Sequence, residues 1–501
     1  METFSADHTK SHNHEQVLCD YEHTSWKPFL RQIVITTAMW TCYFTYGLFV
    51  GTPTVLVAYV RREANSTDAV SKEMASWLSS AFGYSATPWV VILPIVMHFY
   101  GSKKPFIFIT LSSILSIIVF VTSQSMEQVI ISETLLGPLI ASNVTLSSLV
   151  LTEYTSPKYR GLFLTLKSAS FFWGIWVANA VGTFFHWKNM AIIGILCMAY
   201  NLVTVYFWCE SPYWLARQGR FAECTDVIYW LKGNNVQSQE ELKHLIRKYK
   251  DRLRVSSERQ NQVKRYILST HKTLFCKEIY KPLLISLLVM ELYYICGKFI
   301  CSVYAIDIFK RISGEDAAYR NMLILDGVTV LSMYIGCYLT KISKRRILLF
   351  ASTSCGIFFL FIMIIYLYLI KLDIILENSY VSLALLSAYS LSVCCGPIIM
   401  ATSIAAELIP LKVRGTSLCI NAFCSKITVS TFLKLSPYMF ESWGMHGTFL
   451  FYAIGTLIVL VLLYVYLPET KDKTLQEIVD SMNPLKSGDN VEMKELVDMK
   501  N

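Results

Sequence analysis

The chain has 501 residues, 54% hydrophobic and only 16% charged. Soluble proteins carry roughly 25% charged residues, so a string of soluble domains is excluded, as are a disordered polymer, a collagen and a basic nucleic-acid binder. Lys and Arg outnumber Asp and Glu by 45 to 36, and in a membrane chain that surplus reports topology by its position.

The first 28 residues are polar and include His8, His12 and His14. They predict a disordered tail with no cleavable signal peptide, because no apolar core follows a basic start. Metal binding by the three histidines is the alternative. Apolar runs of roughly 20 residues then predict membrane helices, since a helix rises 1.5 Å per residue and the hydrocarbon core is about 30 Å thick. Six such runs fall in the region 29–208, at 33–57, 76–98, 105–123, 127–150, 162–184 and 189–208. A polar stretch, 209–279, follows. Within it Leu242, Leu245, Ile246 and Tyr249 recur at helical spacing among Lys and Glu, which predicts short amphipathic helices lying against the bundle. Six more runs occupy the region 280–467, at 281–309, 320–340, 346–370, 380–406, 416–438 and 446–467, before a polar tail, 468–501. The expected fold is therefore an all-α membrane protein of twelve helices in two sets of six.

Basic residues set the orientation. Lys103, Lys104, Lys158, Arg160, Lys341, Lys344, Arg345, Arg346, Lys412 and Arg414 share one side with the 209–279 stretch if both termini lie there. By the positive-inside rule that side is cytoplasmic. The sequon at Asn65 then falls outside the cell and predicts a glycan. The sequon at Asn143 lies within a span, out of the glycosylating enzyme's reach.

The sequence also repeats itself. Glu153 precedes Arg160-Gly161 by seven residues after the fourth run, and Glu407 precedes Arg414-Gly415 by seven after the tenth. Ser102-Lys103-Lys104 echoes Ser343-Lys344-Arg345, and Glu210-Ser211-Pro212 echoes Pro468-Glu469-Thr470, each pair at corresponding places. Three such echoes predict two homologous halves of the kind found in parallel-repeat transporters. Charges at helix ends near the membrane need partners. Glu153, Arg160, Glu210, Glu407, Arg414 and Glu469 are accordingly expected to form an ion-pair network that joins the halves on the cytoplasmic side.

At these residues the chain resembles the sugar-porter family of the major facilitator superfamily. The marks are Glu210-Ser211-Pro212-Tyr213-Trp214-Leu215, Glu407 to Gly415, and Pro468-Glu469-Thr470-Lys471. In looks it is closest to the insect facilitated-trehalose-transporter-like branch. The resemblance implies alternating access around a central sugar site. It also exposes departures. The family's span-5 Asn and Gln fall on Lys167 and Ser168. Its span-7 amides fall on Tyr293, Tyr294 and Phe299. Its span-10 Gly-Pro-x-Pro-Trp reads Gly396-Pro397-Ile398-Ile399-Met400, so the Trp falls on Met400, and its span-11 Asn-Trp falls on Ser425 and Lys426. Amides both donate and accept, which suits sugar hydroxyls, so their loss predicts weak, low-affinity glucose uptake. Gly297 and Gly396-Pro397 still predict broken or unwound helices beside a cavity.

Lys167, Glu291, Lys298, Asp326, Lys426 and Lys434 lie within spans, where ionisable groups point to function or to internal pairing. Glu291 and Lys298 are expected on one helical face. Lysines facing the cavity would suit an anionic solute. Span 1 offers no carboxylate around Tyr46-Gly47, which favours uniport. The sequence has no Walker A loop, His-Glu-x-x-His helix or nucleophile elbow, so neither an enzyme nor an ATP-driven pump is expected, and no cofactor or metal. The expected function is facilitative transport of a hexose or trehalose across the plasma membrane. A carrier of another, anionic small solute and a transport-inactive sensor are the alternatives.

Overall fold

A computed structural model describes residues 26–64, 70–257, 277–409 and 414–470. Among the described residues, twelve helices are long and apolar enough to cross a bilayer. They are span 1 (Trp26–Glu63), span 2 (Lys72–Tyr100), span 3 (Lys103–Thr122), span 4 (Met126–Tyr154), span 5 (Tyr159–Phe184) and span 6 (Asn189–Phe207), followed by span 7 (Tyr280–Val303), span 8 (Ala317–Ile342), span 9 (Arg345–Lys371), span 10 (Ser379–Ala405), span 11 (Thr416–Ser442) and span 12 (Gly444–Tyr466). Each coincides with an apolar run of the sequence. Side chains such as Phe184, Leu196, Val203 and Val465 stand exposed around the outside, as expected of a perimeter that lipid covers.

Several helices overrun their apolar cores for local reasons. Span 1 begins well before its first continuous apolar residues because its polar first turns are docked. Arg31 Nη1 donates to the Trp230 carbonyl at 2.7 Å, and Gln32 Nε2 donates to the Leu231 carbonyl at 2.9 Å. Span 7 departs most from a plain run. It stops at Ile295, Gly297 adopts φ +80°, and a short helix, Lys298–Val303, restarts. A side chain there would meet Tyr452 as well as the left-handed backbone, so only glycine is at ease. Because the break separates Glu291 from Lys298, the two do not share the continuous face that their spacing suggested. In span 10 a π turn at Cys394–Ile398 contains Gly396 and Pro397, where proline's missing N–H disturbs the helical ladder.

The same pairings recur in both sets of six spans. Span 1 packs on span 5 and span 7 on span 11. Span 2 packs on span 4 and span 8 on span 10. Span 3 packs on span 6 and span 9 on span 12. The halves meet chiefly where span 2 packs on span 11 and span 5 on span 8, a pair of contacts that a twofold exchange of halves interconverts. This is the twelve-helix, two-repeat major facilitator fold. The span 1–span 5 seam is close because Gly47 and Gly174 face each other's backbones; a Cβ on Gly47 would sit 2.0 Å from the Phe171 carbonyl oxygen.

Among the described residues between spans 6 and 7, three helices follow span 6: α1 (Pro212–Arg217), α2 (Phe221–Lys232) and α3 (Val236–Ser257). Their apolar residues Leu215, Ala216, Cys224, Ile228, Leu242 and Leu245 form a small core of their own. Lys232 is buried beside it and donates to both Glu241 oxygens at 2.7 and 2.8 Å; the Tyr213 hydroxyl donates to the same carboxylate at 3.0 Å. The face of the bundle carrying these helices is the linker face; the opposite one is the far face.

Candidate functional site

The centre of the molecule, where a cavity with hydrogen-bonding amides was the family pattern, is aromatic. Tyr43 and Tyr46 come from span 1, Phe171 from span 5, and Tyr293, Tyr294 and Phe299 from span 7. Phe171 and Phe299 stack across the two halves with ring centres 5.8 Å apart and planes 9° apart. Tyr46 lies 4.8 Å from Phe171, and Tyr293 lies 4.7 Å from Tyr294. Phe299 is buried and Tyr293 partly so. Rings can pack this way because offset and edge geometries suit their quadrupoles, each pair contributing about 0.5–1.5 kcal/mol beyond burial.

The lysines sit on this aromatic set in different ways. Lys426 of span 11 reaches across the halves to lie 5.2 Å from the Tyr46 ring centre. Lys167 lies 4.6 Å from the Tyr43 ring and donates to the Asn143 carbonyl at 3.1 Å. Both are cation–π arrangements. Lys298 is different. It is wholly buried at the start of the restarted helix, its Nζ has no hydrogen-bond partner among the described residues, and it is near enough to Asp326 for their charges to interact. Ser168 only returns its hydroxyl to the Leu164 carbonyl. Met400 is buried, and Ser425 is buried with its hydroxyl unpaired among the described residues. Thus the structure gathers Tyr293, Tyr294, Phe299 and Lys426 around the centre. It holds Lys167 at the edge of that cluster and buries Lys298 at the start of the restarted helix.

The cation–π and aromatic contacts are joined by other bonds between halves. Asn179 Nδ2 donates to Asp326 Oδ2 at 2.6 Å. Trp176 Nε1 donates to the Leu323 carbonyl at 3.1 Å, and Trp173 Nε1 to the Tyr334 hydroxyl at 2.9 Å. Towards the far face, Thr54 donates to the Val303 carbonyl, Lys72 bonds Glu441, and Arg61 lies 4.0 Å from Asp307. The halves are therefore fastened at mid-depth and on the far side. Span 7 is braced within its own half as well: the Tyr389 hydroxyl donates to the Cys296 carbonyl, and the Tyr304 hydroxyl to the Leu433 carbonyl at 2.7 Å.

The linker face is organised otherwise. Glu210 Oε1 accepts from the Ser102 and Ser211 backbone N–H groups at 2.7 and 2.9 Å, capping span 3. Glu469 accepts from the Arg346 and Thr470 N–H groups at 3.2 and 3.0 Å, capping span 9. Glu153 accepts from the Ser211 hydroxyl at 2.5 Å, and Glu407 pairs with Arg345. Arg160 donates to the Thr152 carbonyl at 2.7 Å and makes no ion pair among the described residues. Each of these bonds stays within one half and its following loop, rather than crossing between halves as the expected network required. The Arg414 side chain lies outside the described residues, as do Asn65 and residues 1–25 and 471–501 of the terminal tails.

Reading the sequence singled out neither Phe171, Asn143 nor Asn179 as site residues. Phe171 looked like any apolar residue of span 5; its one signal is a place four residues after Lys167, on the same helical face. Asn179 is an amide inside a span, which marks a polar contact by default. Asn143 sits at a break in span 4, and its buried side-chain amide has no partner among the described residues.

A family model described as "Sugar (and other) transporter" matches residues 32–481. The chain is 24% identical over 436 residues to a facilitated trehalose transporter of Drosophila erecta, covering 86% of this chain and 49% of that protein. It is 22% identical over 425 residues to a facilitated trehalose transporter of Apis mellifera ligustica, covering 84% of this chain and 82% of that one. The chain thus spans only about half the length of the fly relative. Among solved structures, the inward open xylose transporter XylE from E. coli matches with TM-score 0.69 at 13% identity, covering 89% of this chain and 99% of that one. A XylE structure bound to 6-bromo-6-deoxy-D-glucose matches with TM-score 0.69 at 14% identity, covering 91% and 99%.

Proposed function

Because the chain belongs to the sugar (and other) transporter family, we propose that it is a facilitative transporter of a sugar, a hexose or trehalose, working by alternating access. The observation that carries this reading is the family match over residues 32–481, joined to a fold whose halves exchange under a twofold. The named activity of the insect relatives supports the choice of sugar. We further propose that the chain works in the plasma membrane with both termini and the linker face cytoplasmic. The basic loops support that orientation through the positive-inside rule, and it makes this conformer, fastened on the far side, an inward-facing one.

The specific observation favouring a second reading is the aromatic centre with Lys426 over Tyr46. A site lined by rings and a cation, and poor in amides, discriminates weakly for polyhydroxyl solutes, because discrimination comes from buried polar groups that only the right ligand satisfies. A less polar or anionic solute fits that lining better. Uptake of labelled glucose and trehalose beside a panel of organic anions, in cells or proteoliposomes, decides. Saturable sugar uptake supports the first reading, saturable anion uptake alone the second, and binding without flux points to a sensor. Loss of a glycosidase-sensitive gel shift in Asn65→Gln tests the orientation; a shift that persists there and vanishes on changing Asn143 would overturn it.

A further inference from the structure

Outside the membrane, one cleft of about 460 Å³ opens on the linker face between α2 and α3. Tyr229 of α2 forms one wall; Gln239, Lys243, Ile246, Arg247 and Lys250 of α3 form the other. At ~100° per residue, Lys243, Arg247 and Lys250 fall within a sector of about 60° on the helix. That sector borders the apolar stripe of Leu242, Leu245 and Ile246, which packs α3 onto its neighbours. The three cations are thus delivered to the mouth of the cleft by the same periodicity that folds the layer.

Two of the nearby carboxylates are already engaged. Glu241 is held by Lys232 and Tyr213, and Glu223 by Arg220 at 2.5 Å. Lys243 and Arg247 are exposed and have no ion-pair partner among the described residues. Lys250 lies 5.5 Å from the Phe221 ring, which keeps its stem against α2 and its charge beside the other two. Exposed Lys248 falls about 140° around the helix from Lys243 and lies outside the cleft, whereas Lys243, Arg247 and Lys250 share one concave surface with an aromatic wall and an amide.

We propose that this cleft binds a phosphorylated ring compound carrying two or more phosphates, a cyclitol or sugar polyphosphate, either free in solution or as a lipid headgroup. A single phosphate or carboxylate would leave most of the three cations uncompensated and most of the volume empty. Several phosphates can meet Arg247 in a bidentate manner and the lysines as point charges, while the ring lies against Tyr229 and Ile246. The inference concerns a regulatory site of the linker layer and does not depend on which solute crosses the membrane.

The test uses the full chain in nanodiscs of phosphatidylcholine with radiolabelled inositol 1,4,5-trisphosphate as probe. Saturable binding that weakens with added salt is expected. It should weaken at least tenfold in Lys243→Gln/Arg247→Gln, and several-fold in Arg247→Gln alone. Lys248→Gln, an exposed cation of the same helix outside the cleft, should bind nearly as the parent does. Nanodiscs containing phosphatidylinositol 4,5-bisphosphate separate the sources. Loss of probe binding there means that the lipid headgroup reaches the cleft; retained binding means that a soluble ligand is the occupant. Absence of saturable binding, or equal binding by the parent and the double variant, overturns the proposal.

Discussion

Asn179 of span 5 donates its amide to the Asp326 carboxylate of span 8 at 2.6 Å, and the bond is buried between the two halves. It fastens the seam at one of the two places where the halves chiefly pack together. A bond to a carboxylate in such a place is stronger than a neutral one, and breaking it leaves a buried charge short of a donor.

Replacing Asn179 should therefore be costly. Asn179→Leu is expected to lower stability by about 2 kcal/mol, the order of the penalty for an unsatisfied buried group, and to shift the protein away from the conformer fastened on the far side. Asp326→Asn keeps an acceptor for Asn179 but strands the Lys298 ammonium. Thermal unfolding in detergent, with thiol labelling of a cysteine placed on the far face, reads both effects. An Asn179→Leu protein as stable as the parent, with unchanged labelling, would show that the bond does not hold the seam.

The two lysines should separate. Lys298→Gln removes the counter-charge of Asp326 deep in the protein, so reduced expression and a lowered unfolding temperature are expected. Lys426→Gln loses a cation–π contact worth about 0.5–2 kcal/mol at the aromatic centre, so the change should appear in solute selectivity with little loss of stability. Uptake ratios for a sugar and an organic anion, measured beside unfolding curves, check the pair. The reverse assignment would place Lys298 in the solute path.

Glu210 and Glu469 perform the same task in the two halves, and their loss should cost alike. Each alanine substitution removes a helix-start acceptor, for which about 0.5–2 kcal/mol is expected. Arg160→Ala loses the bond to the Thr152 carbonyl, its one side-chain hydrogen bond among the described residues, so stability should fall by about 1 kcal/mol. A large drop in uptake from that variant, with stability kept, would show that Arg160 takes a different partner when the linker face closes. Parallel unfolding and uptake measurements on the three variants are sufficient.

Lys232 supplies a pH signature. Burial pushes its pKa below the usual lysine range, and the Glu241 hydrogen bonds only partly oppose this. The folded protein then binds fewer protons here than the unfolded chain. This contribution to stability rises with pH from the lowered folded value towards the ordinary one near 10.4. Denaturation between pH 7 and pH 10 should show the rise in the parent and a flatter profile in Lys232→Met. Identical profiles would mean that Lys232 does not titrate in this range.

The twelve spans were legible because lipid demands long apolar runs, and the breaks at Gly297 and at Gly396-Pro397 because those residues disturb a helix wherever they stand. The repeated Glu and Arg were legible as placed residues but not in their partners. Sequence favours pairing opposite charges, whereas Glu210 and Glu469 find backbone N–H groups at helix starts that no residue letter displays. The aromatic centre was half visible. Tyr293, Tyr294 and Phe299 drew notice as departures from amides, yet Phe171, which stacks on Phe299 from the other half, is marked only by its place one turn after Lys167. Lys298 was visible as a charge, but its link to Asp326 depends on how span 8 packs beside the restarted helix.

The broken seventh span is clamped at both ends, by Tyr389 on the Cys296 carbonyl and by Tyr304 on the Leu433 carbonyl of span 11. The short helix carrying Phe299 is therefore coupled to the helix carrying Lys426, and neither swings alone. Phe299 and Lys426 hold the opposite half at two points, on Phe171 and on Tyr46. Any displacement that frees one grip loads the other through the Tyr304 clamp. Release of the centre should then be a single cooperative event with one barrier, and loosening the clamp with Tyr304→Phe would turn it into two smaller steps.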